Sequence, residues 1–130
     1  MGGLSVGEAA AKVGLSVHTL RWYEQEGLLS PVGRDSAGRR RYSEADLDWL
    51  VLLTRLRGTG MPVRDMRRYA ELSRQGDETV GARLELFEQH RERVLGRIAD
   101  LYRDLEAIEY KIKIYREAEA GQEREAVIAR

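Results

Sequence analysis

The chain is 130 residues long, enough for one compact domain and an appendage. Its 22 lysines and arginines balance 22 aspartates and glutamates, and there is no cysteine, which excludes disulfides, thiolate metal sites and thiol redox sensing. No apolar run approaches the ~18–20 residues of a membrane span and the start lacks a charged-then-apolar leader, so a cytoplasmic location without membrane contact is expected.

Ser5-Val6-Gly7-Glu8 fits a capping box, and Val6, Ala9, Ala10 and Val13 give the helix behind it a small apolar face. Gly14 stops that helix. Ser16 caps a second one, with Leu20, Trp22 and Tyr23 in helical array and Gly27 as a natural stop. Helix, short turn and helix within about twenty residues make a helix-turn-helix. Ser30 to Tyr42 is rich in Gly, Pro, Ser and Arg, and two short strands around a turn at Asp35–Gly38 are expected there, forming a wing.

Charge is uneven although the total is zero. From Lys12 to Tyr42 six bases face three acids, a local net charge of +3. That is the pattern a phosphate footprint requires. Glu24 and Glu26 lie in the same stretch and must turn away from phosphate, toward the wing arginines.

Ser43-Glu44-Ala45-Asp46 opens a third helix in capping-box style, running past Leu47, Leu50, Val51 and Leu56 to Gly58. Met61-Pro62 restarts the chain, and Val63, Met66, Tyr69, Ala70 and Leu72 pattern a fourth helix ending near Gly76. From Thr79 to Ala118 there is no proline, and Leu84, Phe87, Arg91, Val94, Ile98, Leu101, Leu105, Ile108, Ile112 and Tyr115 alternate at spacings of three and four. All but Arg91 are apolar, which marks a coiled-coil seam. A helix of about forty residues is ~60 Å long at ~1.5 Å per residue, too long to bury its seam on so small a head, so it needs a partner helix. These features divide the chain into a head (1–76), a dimerisation helix (77–119) and a polar, frayed tail (120–130). The fold class is mainly α, with a small β wing.

Thr19 to Leu29 reads T-L-R-W-Y-E-Q-E-G-L-L, and Gly38 to Ser43 reads G-R-R-R-Y-S. Both motifs, in order and followed by a heptad helix, resemble the mercury-resistance-regulator (MerR) family of bacterial transcription factors across nearly the whole chain. The resemblance implies that the helix capped by Ser16 lies in the major groove of double-stranded DNA, its first turn nearest the bases. Val17, His18 and Thr19 are then base-facing, Arg21 a base or phosphate contact, and Tyr23 a phosphate contact. Arg40, Arg41 and Tyr42 match the wing, and Arg39 adds a cation with no assigned target. The family further implies an antiparallel coiled-coil homodimer on a palindromic operator in a promoter spacer. That dimer bends and untwists the spacer for RNA polymerase.

His18 and His90 have no ligand-spaced partner, and no nucleophile–base pair or phosphate-cradling glycine loop is present. Neither a metal, a cofactor nor an enzymatic activity is expected, and no effector ligand is identified. His90 is read as structural. The alternative to a promoter regulator is an excisionase-like accessory protein that bends DNA without promoter control.

Overall fold

A computed structural model describes residues 2–29 and 32–129; Ser30 and Pro31, where the wing segment was expected to begin, lie outside the described residues. The chain runs α1 (Val6–Val13), α2 (Val17–Gln25), β1 (Gly33–Arg34), β2 (Arg40–Arg41), α3 (Glu44–Gly58), α4 (Val63–Gln75), a 3-10 turn (Asp77–Thr79) and α5 (Val80–Ile128). It divides into two compact units between His90 and Arg91.

The first unit is built from local signals. At Ser5 the side chain accepts from the Glu8 amide at 3.2 Å while the Glu8 carboxylate accepts from the Ser5 amide at 3.0 Å. The same reciprocal box forms between Ser43 and Asp46, at 3.1 and 2.9 Å. Each satisfies two backbone donors that a helix start leaves open. Gly14 ends α1 in the left-handed region, φ 73°, where a side chain would strain the backbone. That turn brings α2 back against α1, whose Ala9 and Ala10 are buried.

β1 and β2 pair antiparallel, Gly33 with Arg41 and Arg34 with Arg40, around the expected turn. Beyond this hairpin Tyr42 exchanges two backbone hydrogen bonds of 2.8 Å with Leu4, so the N-terminal segment covers the base of the wing. Gly3 makes that approach possible: a Cβ there would lie 3.1 Å from the Tyr42 carbonyl oxygen, at φ 102°.

The core gathers Leu20, Leu28, Leu50, Leu53 and Met66, all fully buried. A column of aromatic rings ties later elements to it. Trp49 of α3 stacks on Tyr69 of α4 at 5.1 Å and 17°, and Tyr69 and Phe87 of α5 meet edge to face at 4.7 Å and 85°. The Trp49 indole N–H donates to the Leu28 carbonyl at 2.7 Å, just past the end of α2. Leu86 and His90 are buried in the same unit, and His90 Nε2 sits 2.8 Å from the Thr59 hydroxyl. His90 is thus structural, as read from the sequence.

Two expectations change. Phe87 was placed on the dimerisation seam, but it packs on Tyr69 of its own head, and the head therefore extends to His90 rather than ending at residue 76. The tail beyond residue 119 was expected to fray, but α5 continues to Ile128 because no glycine or proline after Gly121 breaks it. In the second unit, taken by itself, Ile98, Leu101, Leu105, Ile108, Ile112 and Tyr115 are all exposed. Arg91, the polar member of the expected seam, is exposed beside Glu92 at 3.8 Å.

Candidate nucleic-acid interface

Helix α2 presents a polar face set by its buried one. Leu20 and Tyr23 turn inward, at 0 % and 2 % exposure. His18, Arg21 and Gln25 are exposed and share the opposite face by the 3.6-residue period. Among the described residues His18 and Arg21 form no ion pair, so both are available to a ligand. Ser16 and Thr19 are committed to the helix start: the Ser16 hydroxyl accepts from the Thr19 amide at 3.0 Å and contacts the Thr19 hydroxyl at 2.9 Å. Val17 and Thr19 are half-buried. Trp22 lies against Tyr23, ring centroids 5.5 Å apart, with the Arg57 guanidinium 4.8 Å above its ring. It packs, and it borders the exposed face.

The wing turn is organised by one carboxylate. Asp35 Oδ1 accepts from the amides of Ala37 at 2.9 Å and Arg39 at 3.0 Å. Asp35 Oδ2 accepts from Arg39 Nε at 3.2 Å and lies 3.6 Å from Arg41 Nε. Arg34 closes the hairpin by donating to the Gly38 carbonyl at 2.7 Å. The Arg39 amide, then the Ala37 amide and the two guanidinium charges, hold the Asp35 carboxyl below the usual aspartate range against the opposing effect of desolvation. Arg40 Nε meets Glu24 at 2.8 Å, and this pair fastens the wing to α2. Arg41 also approaches Glu8, at 3.9 Å. The Glu8 carboxyl is held low chiefly by the Ser5 amide and hydroxyl, with Arg41 a smaller cause.

Glu24 thus turns to a wing arginine, as expected. Glu26 does not: it pairs with Arg67 of α4. Tyr42, expected as a wing contact, is fully buried, and its hydroxyl has no hydrogen-bond partner among the described residues. The bridge to Leu4 turns its ring into the core, where burial first, and the Glu24 charge second, push its phenol up from the ordinary value. The Tyr23 side chain is also largely buried, at 2% exposure, but its hydroxyl is not a buried atom left without a partner.

Two contributors were not singled out from the sequence. Gln25 follows Arg21 by four residues and His18 by seven, a spacing that places it on their face. Asp35 opens an Asp-x-x-Gly turn, a recognisable signature, but its grip on two arginines is visible only in three dimensions. Among the described residues no cluster of His, Asp and Glu could hold a metal, and no helix is long and apolar enough to cross a membrane.

An exposed polar helix face with an arginine-bearing hairpin fastened beside it defines a DNA-binding protein of the winged helix-turn-helix class. The family model described as MerR HTH family regulatory protein matches residues 4–72. The chain is 48% identical over 113 residues to an uncharacterized HTH-type transcriptional regulator of Haemophilus influenzae, covering 87% of this chain and 84% of that one. It is 34% identical over 92 residues to the HTH-type transcriptional regulator AdhR of Bacillus subtilis, covering 71% and 66%. Among solved structures, HiNmlR, a MerR family regulator lacking the sensor domain and bound to promoter DNA, matches with a TM-score of 0.83 and 45% identity, over 92% of this chain and 94% of that one. The chain belongs to the MerR family: it is a DNA-binding transcriptional regulator, not an enzyme.

Proposed function

We propose that this regulator acts in the cytoplasm as a homodimer on a palindromic operator within a promoter spacer. His18, Arg21 and Gln25 read the major groove, flanked by Val17 and Thr19. Arg39, Arg40 and Arg41 hold the phosphate backbone. Leu84, Val94, Ile98, Leu101, Leu105, Ile108, Ile112 and Tyr115 form the antiparallel dimer seam. The dimer bends and untwists the spacer to set promoter elements in line for RNA polymerase; smooth bending costs about 1–6 kcal/mol, which phosphate contacts from two heads offset.

The observation that carries this reading is the Arg40–Glu24 pair at 2.8 Å, which holds the wing to the flank of α2 so that both address one duplex. A HiNmlR structure on promoter DNA supports the same use of a similar head. The test is a footprint of the purified protein on the DNA upstream of its own gene, at two salt concentrations. A symmetric protected palindrome between promoter elements, with a hyper-reactive centre, is expected. Scattered protection without symmetry, lost at moderate salt, would overturn it in favour of an accessory DNA-bending protein.

A further inference from the structure

Arg39, Arg40 and Arg41 each meet an acidic neighbour through Nε, and Arg41 alone adds a second, longer approach, of one terminal amine to Glu8 at 3.9 Å. Arg39 and Arg41 approach Asp35 through Nε, at 3.2 and 3.6 Å, and Arg40 approaches Glu24 through Nε, at 2.8 Å. A guanidinium has five N–H donors, one at Nε and four on the terminal amines. A grip at Nε fixes the side chain from its inner edge and leaves the terminal amines to make the bidentate bond that phosphate accepts. The exposures agree: the Asp35 side chain is only 6% exposed, whereas those of Arg39 and Arg41 are 75% and 35% exposed. The acid lies beneath and the base above. Asp35 also divides its work by atom, since Oδ1 takes the two turn amides and Oδ2 the two guanidinium groups.

We propose that Asp35 is a positioning residue for DNA binding, its Oδ2 holding Arg39 and Arg41 from the Nε side, with the terminal amines of Arg39 and the Arg41 amine turned from Glu8 ready for adjacent phosphates. Long basic side chains otherwise lose rotamer freedom when they dock. Asp35 imposes that order before DNA arrives. This rests on the wing being a phosphate contact, as proposed above.

The variant Asp35→Asn separates the two tasks. An amide keeps Oδ1 for the turn and replaces Oδ2 with an NH2 group that repels Nε–H. It also removes a negative charge, which by itself favours DNA. Glu44→Gln controls for that, because Glu44 is exposed and lines the same groove as Asp35 and Arg41. Binding of the full chain to a fluorescein-labelled mixed-sequence duplex, about three helical turns long, is followed by anisotropy across a range of salt. D35N is expected to bind about threefold to tenfold more weakly than E44Q, as the ordering cost of two arginines predicts. Its salt slope is expected to stay unchanged, since the same cations reach the same phosphates. In an Arg39→Ala/Arg41→Ala background, D35N is expected to have no further effect. Binding as tight as E44Q, a flattened slope, or an equal loss in the double-alanine background would each overturn the proposal. The last two would reduce Asp35 to a former of the turn. If the double-alanine variant itself binds like the parent chain, the wing reading fails instead.

Discussion

Leu105 lies midway along the proposed seam, in the second unit, and is 45% exposed there. Burying a whole leucine side chain stabilises by about 1.5–3 kcal/mol. Roughly half of that remains to be gained at Leu105 when a partner helix covers it. A two-fold axis counts each substitution twice, so Leu105→Ala is expected to weaken the dimer by about 1.4–2.7 kcal/mol, or ten- to a hundredfold in Kd. Sedimentation velocity over a dilution series reads this directly. The control is Tyr110→Ala. Tyr110 is more exposed, at 61%, but the helical period puts it opposite the seam. It should leave the dimer constant unchanged. Equal effects of the two variants, or a parent chain that sediments as a monomer at every concentration, would refute the seam assignment.

Arg21→Ala should weaken operator binding by about 1–3 kcal/mol and relax discrimination at one position if the side chain reads a base; competition between operator and mixed-sequence duplex measures this. Arg41→Ala should weaken binding to all duplexes alike and lower the salt slope by about one. Phe87→Ala should destabilise the head by about 1–3 kcal/mol, less than a fully buried phenylalanine, and leave dimer dissociation untouched; thermal melts and sedimentation of the same variant separate the two effects. Asp35 has a lowered folded-state pKa. Its contribution is therefore whole at neutral pH and above the ordinary aspartate value, and is lost as pH falls from that value through the lowered one. Carbon-detected NMR titration should find the Asp35 carboxyl still ionised below the ordinary aspartate value, and an ordinary midpoint would refute the wing geometry.

Features that depend on near neighbours were legible in the sequence. The caps at Ser5, Ser16 and Ser43 each involve a residue three positions on, and the hairpin turn needs only Asp35 to Gly38. The recognition helix and its family followed from the same kind of local order. Placement across the fold was harder. Phe87 fits the heptad as well as Val94 does, because a three-four spacing records which face is apolar and not whose surface covers it. Tyr42 ends a basic run, and only its pairing with Leu4 turns it from surface to core. Glu24 and Glu26 look equivalent two residues apart, yet half a helical turn sends one to Arg40 and the other to Arg67.

The chain has two tryptophans, and they occupy unlike places. Trp49 is stacked on Tyr69 with its indole N–H bonded to a backbone carbonyl, whereas Trp22 borders the exposed polar face of α2 beneath the Arg57 guanidinium. The protein thus carries an internal optical reference and an optical reporter. Emission from Trp49 is expected to track the integrity of the head, and emission from Trp22 to respond if a duplex covers the neighbouring face of α2. Near-ultraviolet spectroscopy can follow operator docking on the unlabelled molecule, with a Trp22→Phe variant silencing the responsive half of the signal.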